Sequence, residues 1–393
     1  MNFRTLRLGY VLCKNDIYAF GTARMCKSDI RSCLVLFLLE IICLGGQSST
    51  QVQSSSTNPL SADEISQLQI RAQAGDPTAQ LDLGKAYDDG NGVPHSDIQA
   101  VKWYRAAAEQ GNATAQNNLG LMFRIGRGVE QDKVEALKWY HKAAKQKNPN
   151  AMFNLGTAYY NGDGIPINDV NAYAWFLLGQ GVGNQSADAA VGRMKGEARD
   201  LPSAFEKIGD MYERSDELPQ SSREAVDWYR KAAENGAAPV QIKLAALLLE
   251  GQGGTPDYAE VHGLCEKAAK IHFPPAAYCM GELYAQGLGV ERDLSKAAKW
   301  FTEGSNSGHA LSTLRLGQMY LKGEGLKQDR ISAYEFIYLA ATSPDLPQAK
   351  QEKELLEKEL TSKELEKGKA KADDWSRQHH PLVLRGSKPL IVN

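Results

Sequence analysis

The stretch GNGVPHSDIQAVKWYRAAAEQG (residues 90–111) runs from a glycine-rich turn into a segment that opens on an acid and carries a Trp-Tyr pair. Taken alone, the turn has two readings: it cradles a phosphate or metal, or it only reverses the chain. A phosphate loop needs backbone amides converging at a helix start, usually with a lysine at fixed spacing. GNGV here, and GRGV and GDGI further on, carry no such lysine, and the chain contains no GxxxxGK[ST]. DDGNGVPHSD (88–97) and NGDG (161–164) lack the twelve-residue oxygen-ligand pattern closed by a glutamate. The glycines are therefore read as conformational, allowing the positive φ that ends one helix and turns into the next.

Copies of this stretch decide the matter. A Leu-Gly step stands at Leu83-Gly84, Leu119-Gly120 and Leu155-Gly156, each 36 residues after the last. A second series, Ile208-Gly209, Leu244-Ala245, Met280-Gly281 and Leu316-Gly317, keeps the same period. The two series are offset by 53 residues, one period plus an insertion of 17. Nineteen residues after the glycine slot come Trp103, Trp139, Trp175, Trp228 and Trp300, with Leu264 and Phe336 in the two remaining units. A fixed period of this length marks an array of stacked units.

Within a unit, Ala79, Leu83 and Tyr87 lie at i, i+4 and i+8, while Ala100, Trp103, Tyr104, Ala107 and Ala108 form a second helical stripe. Each unit is thus two amphipathic helices joined by a short turn. Twelve residues past the glycine slot stand Ser96, Asp132, Asn168, Ser221, Asp257, Asp293 and Asp329, all good helix N-caps. The acid of the opening stretch belongs to this capping chemistry. The five tryptophans are expected to pack between neighbouring helices rather than to form a base-stacking surface.

With GxGV, the cap, Ala-x-x-Trp-Tyr and Ala-Ala aligned, the sequence resembles the Sel1-like repeat family, relatives of tetratricopeptide repeats. The pattern LG-x-x-[YF]-x-x-G-x-G-[VIL] is legible in units one, two, three, six and seven. Unit four reads ERSDELPQSS in place of the glycine turn, and unit five has GQGG with Leu264-Cys265 in place of Trp-Tyr. The resemblance implies an all-α fold, an α-solenoid of about seven 36-residue helix-turn-helix repeats wound as a right-handed superhelix.

The expected organisation follows. Residues 1–46 form an N-terminal segment containing an apolar run, 32–46, and residues 47–60 are a polar linker. Residues 61–75 make a capping helix that opens on the capping box Ser61-x-x-Glu64. Seven repeats occupy 76–343, with an extra helix in the insertion at about 180–201. A charged capping helix spans 344–378, and 379–393 is a tail. Polar terminal elements stop repeat arrays from stacking end to end.

The run SCLVLFLLEIICLGG (32–46), preceded by Lys27 and Arg31 and followed by small and polar residues, resembles a secretory signal or an anchor. Glu40 interrupts it, the lead-in is long, and initiation at Met25 would give a normal lead-in. Export, periplasmic or secreted, is the expectation, with membrane anchoring as the alternative; Glu40-Ile41-Ile42 makes a poor lipobox for Cys43.

Composition excludes little beyond nucleic acid: the net charge of −2 offers no basic footprint. Cys13, Cys26, Cys33 and Cys43 precede residue 44, only Cys265 and Cys279 fall in the repeats, and no CxxC occurs. Cys265 and Cys279 flank a turn between units five and six, where an antiparallel helix pair would bring them near. A cysteine-rich secreted branch of the family bridges this helix pair at slots held here by Ala269 and Ala277, so a disulfide and two buried thiols both remain open. GSNSG (304–308) centres on Asn306 rather than a serine nucleophile, no HExxH occurs, and His379-His380 lie in a polar tail. No catalytic, cofactor-binding or metal residue is assigned. The expected function is a non-enzymatic interaction scaffold that holds a protein or peptide on a concave face lined mainly by first helices. The family also implies a rival, a β-lactam- or cell-wall-acting hydrolase of the cysteine-rich type, for which no SxxK-style motif set is present.

Overall fold

The computed structural model describes residues 59–197, 201–234 and 236–379. The apolar run 32–46, the four early cysteines, the linker 47–58, His380 and the tail beyond it lie outside the described residues. All eighteen described elements are helices. A leading helix, α1 (Ala62–Gln73), precedes the array. Units one to three pair α2 (Pro77–Asp89) with α3 (Asp97–Glu109), α4 (Ala113–Ile125) with α5 (Lys133–Lys145), and α6 (Pro149–Asn161) with α7 (Asp169–Gly181). An additional helix, α8 (Gln185–Glu197), follows. Units four to seven pair α9 (Leu201–Arg214) with α10 (Ser222–Glu234), α11 (Ala238–Leu249) with α12 (Tyr258–Ala269), α13 (Pro274–Gln286) with α14 (Leu294–Asn306), and α15 (Ala310–Lys322) with α16 (Arg330–Ala340). The chain closes with α17 (Pro347–Glu359) and α18 (Ser362–Gln378). The architecture is an all-α solenoid in which helices pack against the next in sequence, except that α9 packs on α7 past α8 and α18 packs on α16 past α17.

Caps set the helix starts. The side chains of Ser96, Asp132, Asn168, Ser221, Asp257, Asp293 and Asp329 each accept a backbone N–H from the first turn of the second helix they precede. Each such cap contributes about 1 kcal/mol. Ser61 and Glu64 close a reciprocal capping box at α1.

The pairing of the two helices rests on a different residue from the tryptophan. Trp139 and Trp175 are buried, but Trp103, Trp228 and Trp300 are only half-buried. The fully enclosed slot is the next one: Tyr104, Tyr140, Phe176, Tyr229 and Phe301, with Cys265 and Ile337 in units five and seven. Each ring lies flat on the glycine of its own first helix. A Cβ placed on Gly120 would stand 2.8 Å from Tyr140 Cε1, and one on Gly84 2.6 Å from Tyr104 Cδ1. The glycine therefore costs about 1 kcal/mol in helix propensity and admits a ring that no other residue would admit. The outward rotation of the tryptophan slot lets lysines lie over its indoles, with Lys142 Nζ 3.9 Å from the Trp139 ring centre and Lys231 Nζ 3.8 Å from that of Trp228.

Unit five breaks this rule in both partners at once. Ala245 fills the glycine slot and Cys265 the ring slot, so the added methyl is met by a smaller side chain. Cys265 is bridged to Cys279 of α13, with their Cα atoms 6.0 Å apart, which ties unit five to unit six.

The insertion is an incomplete unit. α8 begins with Asn184 accepting Ala187 N–H at 2.7 Å and carries Val191-Gly192, 36 residues after Leu155-Gly156. It has no second helix, and no ring approaches Gly192. Both α8 and α9 pack on α7. The charged segment 344–378 is two helices rather than one. The chain breaks at Leu360-Thr361, where Thr361 and Glu364 form a second capping box. Both α17 and α18 cover α16, and Gly368 receives the Tyr334 ring.

Substituting Gly120→Ala is expected to destabilise the fold by about 1–3 kcal/mol through overpacking against Tyr140. Tyr140→Ala should cost about 3–5 kcal/mol as a buried aromatic truncation. Urea melts of the two variants, compared with the half-exposed Trp300→Ala, test whether the ring slot or the tryptophan slot carries the packing.

Candidate functional site

The glycine turn spends its amides on its own helix. Gly90 is left-handed at φ 68°, and its N–H and that of Asn91 both reach Ala86 O. Ser96 N–H then donates to Tyr87 O at 2.9 Å. Gly92 is needed for a second reason: a Cβ there would lie 2.6 Å from Leu60 O of the preceding segment. The turn is thus where one unit seats on the unit before it, and the N–H groups of Gly90, Asn91 and Ser96 point at helix carbonyls.

The acids around it are also engaged. Arg127, at the tip of the unit-two turn, donates to Asp88 at 2.9 Å and to Asp97. Its guanidinium is the main reason the Asp97 carboxyl titrates below the ordinary range. Asp88 further accepts the Tyr104 hydroxyl at 3.0 Å, and burial, ahead of that acid, raises the Tyr104 pKa. Asp163, in the unit-three turn, pairs with Lys133 at 2.6 Å. Among the described residues no group of three His, Cys, Asp or Glu side chains is placed to hold a metal.

A Ser-His pair does occur, between units six and seven. His309 Nδ1 lies 2.9 Å from Ser312 Oγ and accepts Ser312 N–H at 3.3 Å, capping α15. Ser312 has no exposed surface and His309 only 3%. Ser305, from GSNSG, is equally enclosed and accepts the Thr313 hydroxyl at 3.0 Å. Their observed partners are those of a buried joint. His379 stacks on Trp375 with ring centres 4.3 Å apart.

First helices also meet one another across units, which inspection of single units did not reveal. Two residues before the glycine slot, Lys243 of α11 reaches Asp210 and, at 3.1 Å, Glu213 of α9. Arg315 of α15 pairs with buried Glu282 of α13 at 2.6 Å. Asn154 donates to Asn117 at 2.9 Å. At the corresponding slot of α13 stands Cys279, half of the disulfide. Comparing charge at that slot with charge three residues later in the preceding unit would have exposed the pattern.

With this geometry in hand, a Sel1-repeat profile matches seven segments: 77–112, 113–148, 149–179, 203–236, 238–270, 274–309 and 310–345. The chain belongs to the Sel1-repeat family. Sel1-family relatives include Protein sel-1 homolog 2 of Rattus norvegicus, 30% identical over 123 residues, covering 31% of this chain and 18% of that protein. The Sel1-repeat-containing protein YjcO of Escherichia coli is 33% identical over 99 residues, 24% of this chain and 43% of that protein. The matched region thus spans less than half of either curated relative. Among solved structures, c5321, described as a protective antigen of uropathogenic Escherichia coli with an SLR fold, is 25% identical. It covers 83% of this chain and 74% of its own at a TM-score of 0.44. A Sel1 repeat protein from Oxalobacter formigenes is 30% identical, covering 75% and 80%, at a TM-score of 0.36.

Two stability predictions follow from the buried groups. Burial lowers the His309 pKa to about 4, so between pH 6.5 and 4 the unfolded chain binds a proton that the folded chain does not. This contribution to stability is complete above pH 6.5 and lost as pH falls toward 4, at up to about 1.4 kcal/mol per pH unit. His309→Asn installs the cap that Asn112 and Asn148 supply in units two and three. Denaturant melts across this range should show a shallower acid decline for the variant. The Cys265–Cys279 bridge, at a sequence separation of 14, should contribute about 3 kcal/mol; urea melts with and without reductant measure it.

Proposed function

We propose that the chain is a non-enzymatic protein-interaction scaffold, with a protein or peptide partner lying along the face lined mainly by the first helices. The observation that carries this reading is a division of labour within the repeat. Residues that recur every unit are consumed by structure: the glycine by the ring, the turn amides by helix carbonyls, the cap by the next helix. Residues that differ between units gather on the first helices. The slot two before the glycine holds Asp82, Asn118, Asn154, Lys207, Lys243, Cys279 and Arg315 in turn; Asn154, Lys243, Cys279 and Arg315 join the preceding unit, and Asp82, Asn118 and Lys207 are partly exposed. A surface that varies over an invariant frame is what partner discrimination requires.

Among the described residues no helix is long and apolar enough to cross a membrane. The run 32–46 supports export of the array, with retention as a tether the alternative; sequencing the mature N-terminus distinguishes them. A disulfide in the described array agrees with an oxidising compartment.

The full chain, used as bait, should retain a protein partner whose binding slows amide exchange on α2, α4, α6 and the later first helices. Protection confined to the outer faces of the second helices would overturn the groove assignment. Stoichiometric acylation of one serine by a β-lactam would overturn the non-enzymatic reading.

A further inference from the structure

Among the described residues, the first unit of the array lacks the preceding unit that every later unit has. α1 keeps the phase of a second helix: Glu64, Leu68 and Arg71 stand 36 residues before Ala100, Tyr104 and Ala107. In unit one those three later slots face the first helix, α2, and Tyr104 is 1% exposed. On α1 Glu64 and Arg71 are exposed, and Leu68, packed against Ala72 and against Ala79 and Leu83 of α2, stays half-buried. A cavity of about 330 Å³ lies between α1 and α2 at this place. Leu60, Leu68 and Ala86 form its apolar lining, and Glu64, Asp82 and Asp89 its acidic part.

The interior joints show what such a slot receives. At α11 and α15 the residue two before the glycine position is a cation, Lys243 or Arg315, and it meets acids of the preceding first helix. In α2 the same slot holds Asp82, so the sign is reversed. Lys85 pairs with Asp82 at 3.2 Å, which leaves three acids against one lysine in the lining. The Glu64 carboxylate already accepts the Ser61 N–H and hydroxyl, so Asp82 and Asp89 are the acids that face an incoming group. The residues of this chain that precede α2 in phase, IICLGGQSSTQVQ (41–53), contain no cation.

We propose that this slot takes an amphipathic helix of a partner protein, with a small residue against Leu68 and basic side chains three residues apart toward Asp82 and Asp89. The reading rests on the scaffold function above and places recognition at the N-terminal joint of the array. Complementary charge fixes register and rate, and the apolar floor supplies the burial.

The test uses the full chain and two labelled synthetic peptides built on the sequence of α4, ATAQNNLGLMFRI. One carries Leu121→Lys and keeps Arg124; the other carries glutamate at both positions. Fluorescence anisotropy is expected to show the basic peptide binding, at least tenfold weaker binding to Asp82→Lys/Asp89→Lys, and recovery of binding to that variant by the acidic peptide. Both acids lie at accessible positions, and thermal melts by circular dichroism verify that the variant folds. Absence of binding by the basic peptide, or equal binding of both peptides, overturns the proposal. A partner that protects interior first helices and is indifferent to Asp82→Lys/Asp89→Lys sinks this inference while leaving the scaffold reading in place.

Discussion

A ring seated on a glycine holds five of the seven units together. Six of the seven units place Gly84, Gly120, Gly156, Gly209, Gly281 or Gly317 beneath the side chain twenty residues on, and in five of them that side chain is aromatic. The contact is closer than any Cβ allows, so it fixes both identity and geometry: the first helix must present glycine, and the second must approach on that face. Everything else in the unit accommodates this approach. The left-handed turn glycine reverses the chain within the available length, and the capping residue starts the second helix where its ring falls on the glycine. The neighbouring second turn glycine lets the whole hairpin seat on the unit before it.

The two irregular units show that turn and ring are separable. Unit four loses its glycine turn, yet Tyr229 still lies on Gly209, and Leu218 is buried in the slot that Val93 and Val129 occupy elsewhere. Its Tyr229 hydroxyl is tied to Asp210 at 2.7 Å and Glu213 at 2.6 Å, and Lys243 of the next unit lies over the ring. Unit five keeps the turn and loses the pair, with Ala245 and Cys265 in its place. There a covalent bond to the next unit stands where ring packing stands in five of the others. The array tolerates loss of either device singly, and each loss is accompanied by a stronger link to the adjoining unit.

Much of this was legible because repetition multiplies weak local signals. One Ser or Asp before an apolar stripe is a poor cap prediction; seven in register are a strong one, and all seven accept backbone hydrogen bonds. The tryptophans do pack in or against the core, as expected, but they are not the most enclosed slot. Their recurrence marked a constrained slot, but periodicity gives a helix face only to within one residue. The enclosed position is the Tyr or Phe beside them, while the indole is turned outward far enough to leave three of five half-exposed. The extra helix was visible as an insertion, but its phase was not, because Val191-Gly192 carries no tryptophan behind it to complete the pattern. Contacts between units, such as Arg315 with Glu282, depend on which faces stacking brings together, and a single unit does not encode that.

The same logic locates freedom to change. A residue whose partner lies in its own unit is bound to a rule that every unit obeys, whereas a residue whose partner lies in the next unit answers only to that neighbour. Lys243 with its acids, Arg315 with Glu282, Asn154 with Asn117, and the disulfide are four different solutions at equivalent joints. At these interior joints the preceding unit takes up this variation internally. At α2, where the array has no preceding first helix among the described residues, the same slot carries Asp82 beside a cavity. The chemistry that interior units direct at one another has, at that slot, no described first helix to meet.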